Sequence, residues 1–270
     1  YKVEQISNPK LKEIKKTILK MINRANVSHV GAALSVVDII YCLYSKVANV
    51  SPKNINDSNR DVIILSKGHS SAALYSTLFH LGYINKEYIE NYSIDGGSLP
   101  CHIDKEKSPF FEVSTGSLGH GLSVAVGMAL AKKMNKNSGR VFCICGDGEC
   151  NEGSIWEAVM FASTHKIDNL TFIVDFNNLQ AFGATNDVIN QSNLSERLKV
   201  FGFDSFDIDG HNFDELEKYL KIQTDRPIAI IAHTTKGKGV SFMEDRLEWH
   251  YKSPNNEQLD IALSEIEEKY

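Results

Sequence analysis

Neither a zinc knuckle nor a disulfide framework can be built from this sequence. Its five cysteines form no CxxC pair, and Cys143 and Cys145 alternate along an apolar run, where they pack as small apolar residues. Free thiols of this kind fit a reducing compartment, and the cytoplasm is the expected location. An excess of basic residues is also missing. The 29 lysines and arginines face 34 aspartates and glutamates, a net charge of −5, which argues against nucleic acid or an anionic membrane as the main partner. No apolar run reaches the ~18 residues of a membrane helix, and no secretory signal pattern opens the sequence as it stands, from Tyr1. Internal repeats, low-complexity tracts and breaks in composition are absent. With 270 residues, 42% hydrophobic and 23% charged, the expectation that remains is one soluble α/β domain over 1–270.

What is present centres on residues 140–184. Residues 140–145 form a short apolar run that stops abruptly at Gly146-Asp147-Gly148-Glu149. A strand covered on both faces reads this way. The glycines permit a sharp turn and the close approach of a ligand to the backbone. A helix is expected over 153–162, its first free N–H groups offering a seat to an anion. A second apolar run, 170–175, ends at Phe176-Asn177-Asn178-Leu179-Gln180. The product is a right-handed βαβ unit with Asp147 and Asn177 at the carboxyl ends of two strands, where open α/β sheets bind ligands. Asp147 brings a carboxylate and Asn177 an amide oxygen, both hard ligands for Mg²⁺ or Ca²⁺. Backbone carbonyls and two diphosphate oxygens would complete the shell, and the helix dipole with the Gly148 N–H would take the remaining phosphate charge. An Asp-Gly turn alone is common; GDG-E, a helix and then Asn-Asn at the next strand end is far more specific.

Elsewhere helix and strand patterns alternate. A helix opens at Asn8-Pro9 with Leu11, Ile14, Ile18 and Ile22 on one face. Ser28-His29-Val30-Gly31 precedes an apolar helix over 36–44. A strand at 61–65 runs through Ser66-Lys67-Gly68-His69 into a helix, and Leu99-Pro100-Cys101-His102 lies in a polar loop. Thr115-Gly116-Ser117-Leu118-Gly119-His120 leads into a small-residue helix over 122–132, apolar enough to be buried. Then follow a helix-capable stretch at 193–199, a strand at 203–208, a helix at 212–221, a strand at 227–233 and a final amphipathic helix at 256–268. Lys236-Gly237-Lys238-Gly239 lacks P-loop spacing and reads as a basic turn. Taken singly, a histidine beside a glycine at a helix entrance reads as a turn with a satisfied imidazole.

Gly146-Asp147-Gly148-Glu149 followed by Asn177-Asn178 resembles the thiamin diphosphate motif, and six segments in order resemble the amino-terminal part of transketolases. The resemblance implies the diphosphate-binding domain of that fold, a parallel sheet flanked by helices on both faces. It implies thiamin diphosphate and Mg²⁺ (or Ca²⁺) as cofactors, with Asp147, Asn177 and Leu179 at the metal. It puts His69 and His250 at the diphosphate, Gly116, Ser117 and Leu118 at the aminopyrimidine, and Gly146, Gly148, Glu149 and Asn177 among the cofactor-binding residues. His29, His102 in its Leu-Pro-x-His context, and His250 after Trp249 fall on histidines that position substrate and shuttle protons, a task suited to imidazole near neutral pH. Glu152 matches an interfacial glutamate that couples two active sites; as a residue alone it is equally a solvated first-turn acid. His120 stands where many transketolases carry glutamine.

The reaction implied is transfer of a two-carbon ketol unit from a ketose (phosphate) to an aldose (phosphate). In the family, the activating glutamate and the sugar-phosphate arginines lie in a following pyrimidine-binding domain, which these residues do not include. The implied assembly is a split transketolase, a heterotetramer with two pyrimidine-binding carboxy-terminal partner subunits. Deoxyxylulose-phosphate synthases and 2-oxoacid dehydrogenase subunits share the metal motif, but Trp249-His250 and Leu-Pro-x-His favour transketolase. A nicotinamide oxidoreductase is disfavoured because Asp147 would repel pyrophosphate in its Gly-rich turn. Retention of Asp147, Asn177 and the matched histidines argues against a non-catalytic subunit that merely keeps the fold.

Overall fold

In the computed structural model, which describes residues 8–270, the chain enters its first helix through Asn8, whose side chain accepts from the Leu11 N–H ahead of Pro9. This helix, α1 (Pro9–Ala25), buries the expected stripe of Leu11, Ile14, Ile18 and Ile22. The next, α2 (Val30–Cys42), begins at Val30 rather than at 36. Residues 30–35 are buried all round, so they show no helical period, and His29 itself stands at the cap. The remaining helices are α3 (Ser71–His80), α4 (Lys86–Glu90), α5 (His120–Met134), α6 (Gly153–Thr164), α7 (Thr185–Val188), α8 (Leu194–Val200), α9 (Phe213–Leu220) and α10 (Asn256–Lys269). The strands are β1 (Val62–Leu65), β2 (Val141–Gly146), β3 (Leu170–Phe176), β4 (Leu179–Gln180), β5 (Gly183–Ala184), β6 (Asp204–Asp209) and β7 (Ile228–His233).

Five strands form one sheet in the order β1-β2-β3-β7-β6, all parallel, and β4 with β5 makes a small antiparallel ribbon. Successive side chains of a strand point to opposite faces, and here both faces are dry. Ile63, Phe142, Ile144, Ile173 and Ile230 join a core with α1, α2, α3, α9 and α10. Ile64, Cys143, Phe172, Val174 and Ile231 join a second core with α5, α6 and α8. Hence β1, β2 and β3 read as continuous apolar runs, whereas the edge strand β6 alternates, turning Phe206 and Ile208 to the first core and exposing Asp207 and Asp209.

Two expectations need correction. The helical stretch Val30–Val47 has the length and hydropathy of a membrane span, but 78% of it is buried, because the first core is packed around it. The small-residue helix α5 is covered on one side only: Leu122, Ala125, Val126 and Ala129 are buried, while Val124, Gly127 and Met134 lie on the exposed face. At the amino ends of the strands Arg140 closes the sheet. Its guanidinium donates to the carbonyls of Leu220 and Ile222 at 2.9 and 3.1 Å and to the Thr171 hydroxyl at 3.0 Å. At the carboxyl ends the register sets Gly146 beside Asp175 and Phe176 beside His233, so the turns that follow β2, β3 and β7 leave the sheet side by side.

Candidate active site

Each of those carboxyl ends finishes in a polar turn. After β1 come Ser66, Lys67 and, in a short 3-10 turn (Gly68–Ser70), His69. Asp147 follows β2, Asn177 follows β3, and Thr234 and Lys236 follow β7. This is the edge at which parallel α/β sheets hold ligands.

Asp147 is 2% exposed. One of its oxygens accepts from the Thr185 hydroxyl at 2.8 Å and the other from the Gly148 N–H at 2.9 Å. Both donors are neutral, and burial pushes this carboxyl above the usual carboxylate range, with repulsion from Asp175 adding to it. The buried amide of Asn177 accepts from the Leu179 N–H at 3.1 Å through its oxygen. A Cβ at Gly148 would meet the Gln180 Cβ at 2.7 Å, so a glycine is needed for the two turns to close on each other. Thr185 completes the join, its N–H donating to the Asn178 carbonyl at 2.9 Å. The result is a buried carboxylate with only neutral partners, set beside an amide oxygen and the carbonyl of Leu179. That is a hard-oxygen donor set, and it fits Mg²⁺ or Ca²⁺. The Leu179 carbonyl accepts from the Lys236 ammonium at 3.1 Å, so a cation already rests on the third of these oxygens. A short turn, Gly148–Asn151, separates Asp147 from the start of α6, and the Gly148 N–H expected to meet phosphate is engaged by Asp147.

Two further carboxylates brace the floor. Asp175, wholly buried within β3, forms a salt bridge with Lys67 and accepts from the hydroxyls of Ser35, at 2.7 Å, and Thr234. Burial alone would raise its pKa; Lys67 and the hydroxyls hold it below the ordinary value. Glu149 is turned inward. It accepts from the Ser66 hydroxyl, the Gly119 N–H at 2.9 Å and the Gly146 N–H at 3.1 Å, so its side chain ties the ends of β1 and β2 to the loop before α5. Burial also pushes the Glu149 carboxyl up.

Above this floor four histidines from distant stretches converge. The His29 ring centroid lies 5.2 Å from that of His69, 5.1 Å from His250 and 5.9 Å from His102, and His69 lies 5.9 Å from His250. His29 adopts φ 76°, a left-handed backbone uncommon outside glycine. Its N–H donates to the His250 carbonyl at 3.1 Å, and the neighbouring Ser28 hydroxyl donates to the Tyr251 carbonyl at 3.0 Å, locking the two segments together. His102 packs on Gly116, where a Cβ would lie 3.0 Å from its Cδ2. Burial lowers the pKa of all four. His29 falls to about 4 and His250 to about 3, with Lys236 and Lys67 adding repulsion in both cases; His69 falls well below the ordinary value and His102 below it. At neutral pH the rings are therefore uncharged. Lys236 lies 3.0 Å from His250 Nδ1 and is 1% exposed. Burial, then Lys67, push its pKa down to about 8.

The structure thus gathers His29, His69, His102 and His250, and sets Asp147, Asn177 and Leu179 together at their side. Gly116, Ser117 and Leu118 lie on the loop leading to α5, the last two exposed, and His120 is exposed as the first residue of that helix. Glu152, the exposed cap of α6, lies against the end of that loop, where a Cβ added at Gly119 would come 2.7 Å from its own. Reading residues singly misses Lys236, because a Gly-flanked lysine turn looks like surface. It also misses Lys67, Thr185 and Asp175, although Asp175 carried a signal: a carboxylate inside a strand dry on both faces requires a counter-charge.

Comparison with known proteins gives the same frame. Residues 7–263 match the family described as "Transketolase, thiamine diphosphate binding domain". An apulose-4-phosphate transketolase subunit from Actinobacillus succinogenes is 39% identical over 263 residues, 96% of this chain and 95% of that protein. The "6-deoxy-6-sulfo-D-fructose transketolase subunit SqwG" of Clostridium sp. (strain MSTE9) is 37% identical over 259 residues, 95% of this chain and 94% of that one. Among solved structures, transketolase from Campylobacter jejuni superposes with a TM-score of 0.86 at 30% identity, covering 97% of this chain but 43% of the transketolase. This chain, matched along nearly its whole length, belongs to the family of transketolase thiamine diphosphate-binding domains.

Proposed function

We propose that the chain is the diphosphate-binding subunit of a two-component transketolase, moving a two-carbon ketol unit from a ketose to an aldose. One observation carries the reading: a set of hard oxygen donors and four converging histidines share one sheet edge, in a chain of the same extent as relatives named as single subunits of a transketolase. Asp147, Asn177 and the Leu179 carbonyl would hold Mg²⁺, and His69, His250 and Lys236 would take the diphosphate. Thiamin diphosphate, when bound, supplies a carbon nucleophile able to add to a ketose carbonyl. The rest falls to side chains of this chain. His29, His102 and His250 enter neutral; His29 and His102 can each offer a ring nitrogen to the proton of a substrate hydroxyl, while His250, whose Nδ1 accepts from the Lys236 ammonium, presents its other nitrogen as an N–H donor. A diphosphate beside Lys236 would offset the repulsion that Lys236 adds to the effect of burial on His29 and His250.

The pyrimidine-binding half belongs to a partner subunit in this proposal, with a heterotetramer as the assembly. Relatives named for a sugar 4-phosphate and for a 6-sulfo sugar direct the substrate search to sugars with an anionic tail. All five cysteines are free thiols, in keeping with the cytoplasmic location that we propose. The test is reconstitution. Purified chain with thiamin diphosphate, Mg²⁺ and anionic ketose donors is expected to show no ketol transfer, and activity is expected to appear as the partner subunit is titrated in. Full turnover by the single chain would overturn the two-component reading.

A further inference from the structure

We infer that Asp175 is a positioning residue for the metal site, because its carboxylate holds the NH₂ side of the Asn177 amide while the Leu179 N–H holds the oxygen side. The inference rests on the proposed role of Asp147, Asn177 and Leu179 as metal ligands. An asparagine amide has an oxygen and an NH₂ of nearly the same shape, but only the oxygen can ligate a cation. Asn177 Nδ2 lies 3.4 Å from the Asp175 carboxylate and 3.5 Å from the Ser35 hydroxyl. These are long hydrogen bonds, and orientation comes as much from what the alternative would cost. Lys67, Ser35 and Thr234 all direct donors at Asp175, so it serves as an acceptor throughout. Turning the amide over would press its oxygen against that carboxylate with no hydrogen between them. The NH₂ is therefore kept inward, and Oδ1 is left to face the Leu179 N–H at 3.1 Å.

Asp175 is itself braced from several sides. Its three other partners come from the end of β1, from α2 and from the turn after β7, and it is fully buried. A rigidly aimed amide oxygen suits a cation that demands near-ideal octahedral geometry, which Mg²⁺ does and Ca²⁺ does not. Loosening the amide should therefore cost Mg²⁺ more than Ca²⁺. A residue that served only to stabilise the fold would leave that preference unchanged.

The decisive variant is Asp175→Asn, nearly isosteric but able to donate a hydrogen bond to the Asn177 oxygen, so that the Leu179 N–H is left as the one contact favouring the outward oxygen and the amide is loosened. Mn²⁺ binding to the full chain in the presence of thiamin diphosphate is followed by electron paramagnetic resonance, with Mg²⁺ and Ca²⁺ measured by competition. Mg²⁺ affinity is expected to fall by about 10- to 100-fold, the usual range for removing an outer-shell partner, and Ca²⁺ affinity by clearly less. Folded Asp175→Asn that binds both ions as the wild type does would overturn the inference. Asp147→Ala separates the two claims, since unchanged metal binding there would defeat the ligand assignment instead. If Asp175→Asn does not fold, Ser35→Ala takes its place. It keeps the Lys67–Asp175 pair but removes the hydroxyl lying beside both Asp175 and Asn177. A smaller loss of the same kind supports the inference, and a full Mg²⁺ preference refutes it.

Discussion

Replacing Asp147 by asparagine should separate the stability of the chain from its capacity to hold a cation. The sign of the stability effect follows from burial. A carboxyl whose pKa is raised on folding destabilises the folded state when ionised, and this cost is present above the folded pKa and fades as the pH falls. Asparagine removes the charge while keeping the oxygen that the Gly148 N–H uses, and the Thr185 hydroxyl can turn to accept from the new NH₂. The hydrogen-bond exchange is worth about 1 kcal/mol in either direction. In EDTA at pH 7 the variant is therefore expected to melt within about 4 °C of the wild type, at about 2–4 °C per kcal/mol for a chain of this size. The loaded state behaves differently. At 100 times the wild-type Kd, bound metal and cofactor add about 2.7 kcal/mol, a gain of roughly 5–10 °C in Tm. Asp147→Asn should lose nearly all of that gain. Scanning calorimetry in EDTA, and again with Mg²⁺ and thiamin diphosphate, reads both quantities. A variant that keeps the full gain would show that Asp147 does not ligate the cation. A collapse in EDTA would show that the carboxylate is a structural brace.

Lys236→Met removes the ammonium whose repulsion helps to hold His250 down to about 3. His250 should then titrate at a higher pH by NMR, and thiamin diphosphate affinity should fall by about tenfold or more, as loss of a charge-assisted contact predicts; an unmoved His250 with unchanged affinity would exclude Lys236 from the site. Stability should also depend on pH through the histidines. Their folded pKa values, about 4 for His29 and about 3 for His250, lie below the ordinary value, so the stability they contribute is complete above about pH 6.5 and is lost as the pH falls toward 4. Urea midpoints of the wild type and a His29→Gln/His250→Gln variant, measured between pH 7 and 4, should diverge over that window, and parallel curves would refute the assignment.

The parts of this architecture that could be read locally are those where one segment carries its own reason. The runs ending at Gly146 and Phe176 are apolar without alternation because both faces of β2 and β3 are covered. The abrupt polar turns after them place Asp147 and Asn177 where a parallel sheet receives ligands. The start of α2 was hidden because residues packed on every side show no period. The histidines were a harder case. Each sits in a turn that, by itself, calls for nothing more than a satisfied ring, and only the transketolase resemblance united them; the centroid separations of 5.1–5.9 Å are a product of tertiary structure. Lys236 carried no signal at all. Its burial depends on Leu179 and His250, which lie 57 and 14 residues away in the chain.

The Arg140 clasp has a practical use. It anchors the carbonyls of Leu220 and Ile222, and just beyond them Gln223, Asp225 and Arg226 are exposed in the turn that leads into β7. The six residues of β7 separate that turn from the turn bearing Lys236, a span of about 20 Å at the usual strand rise. That distance suits both paramagnetic relaxation and fluorescence transfer. Four of the native thiols are buried and Cys101 alone is partly exposed, so replacing that one cysteine leaves Asp225→Cys as the single accessible attachment point. A spin label or dye placed there would report on whatever occupies the far edge without touching it.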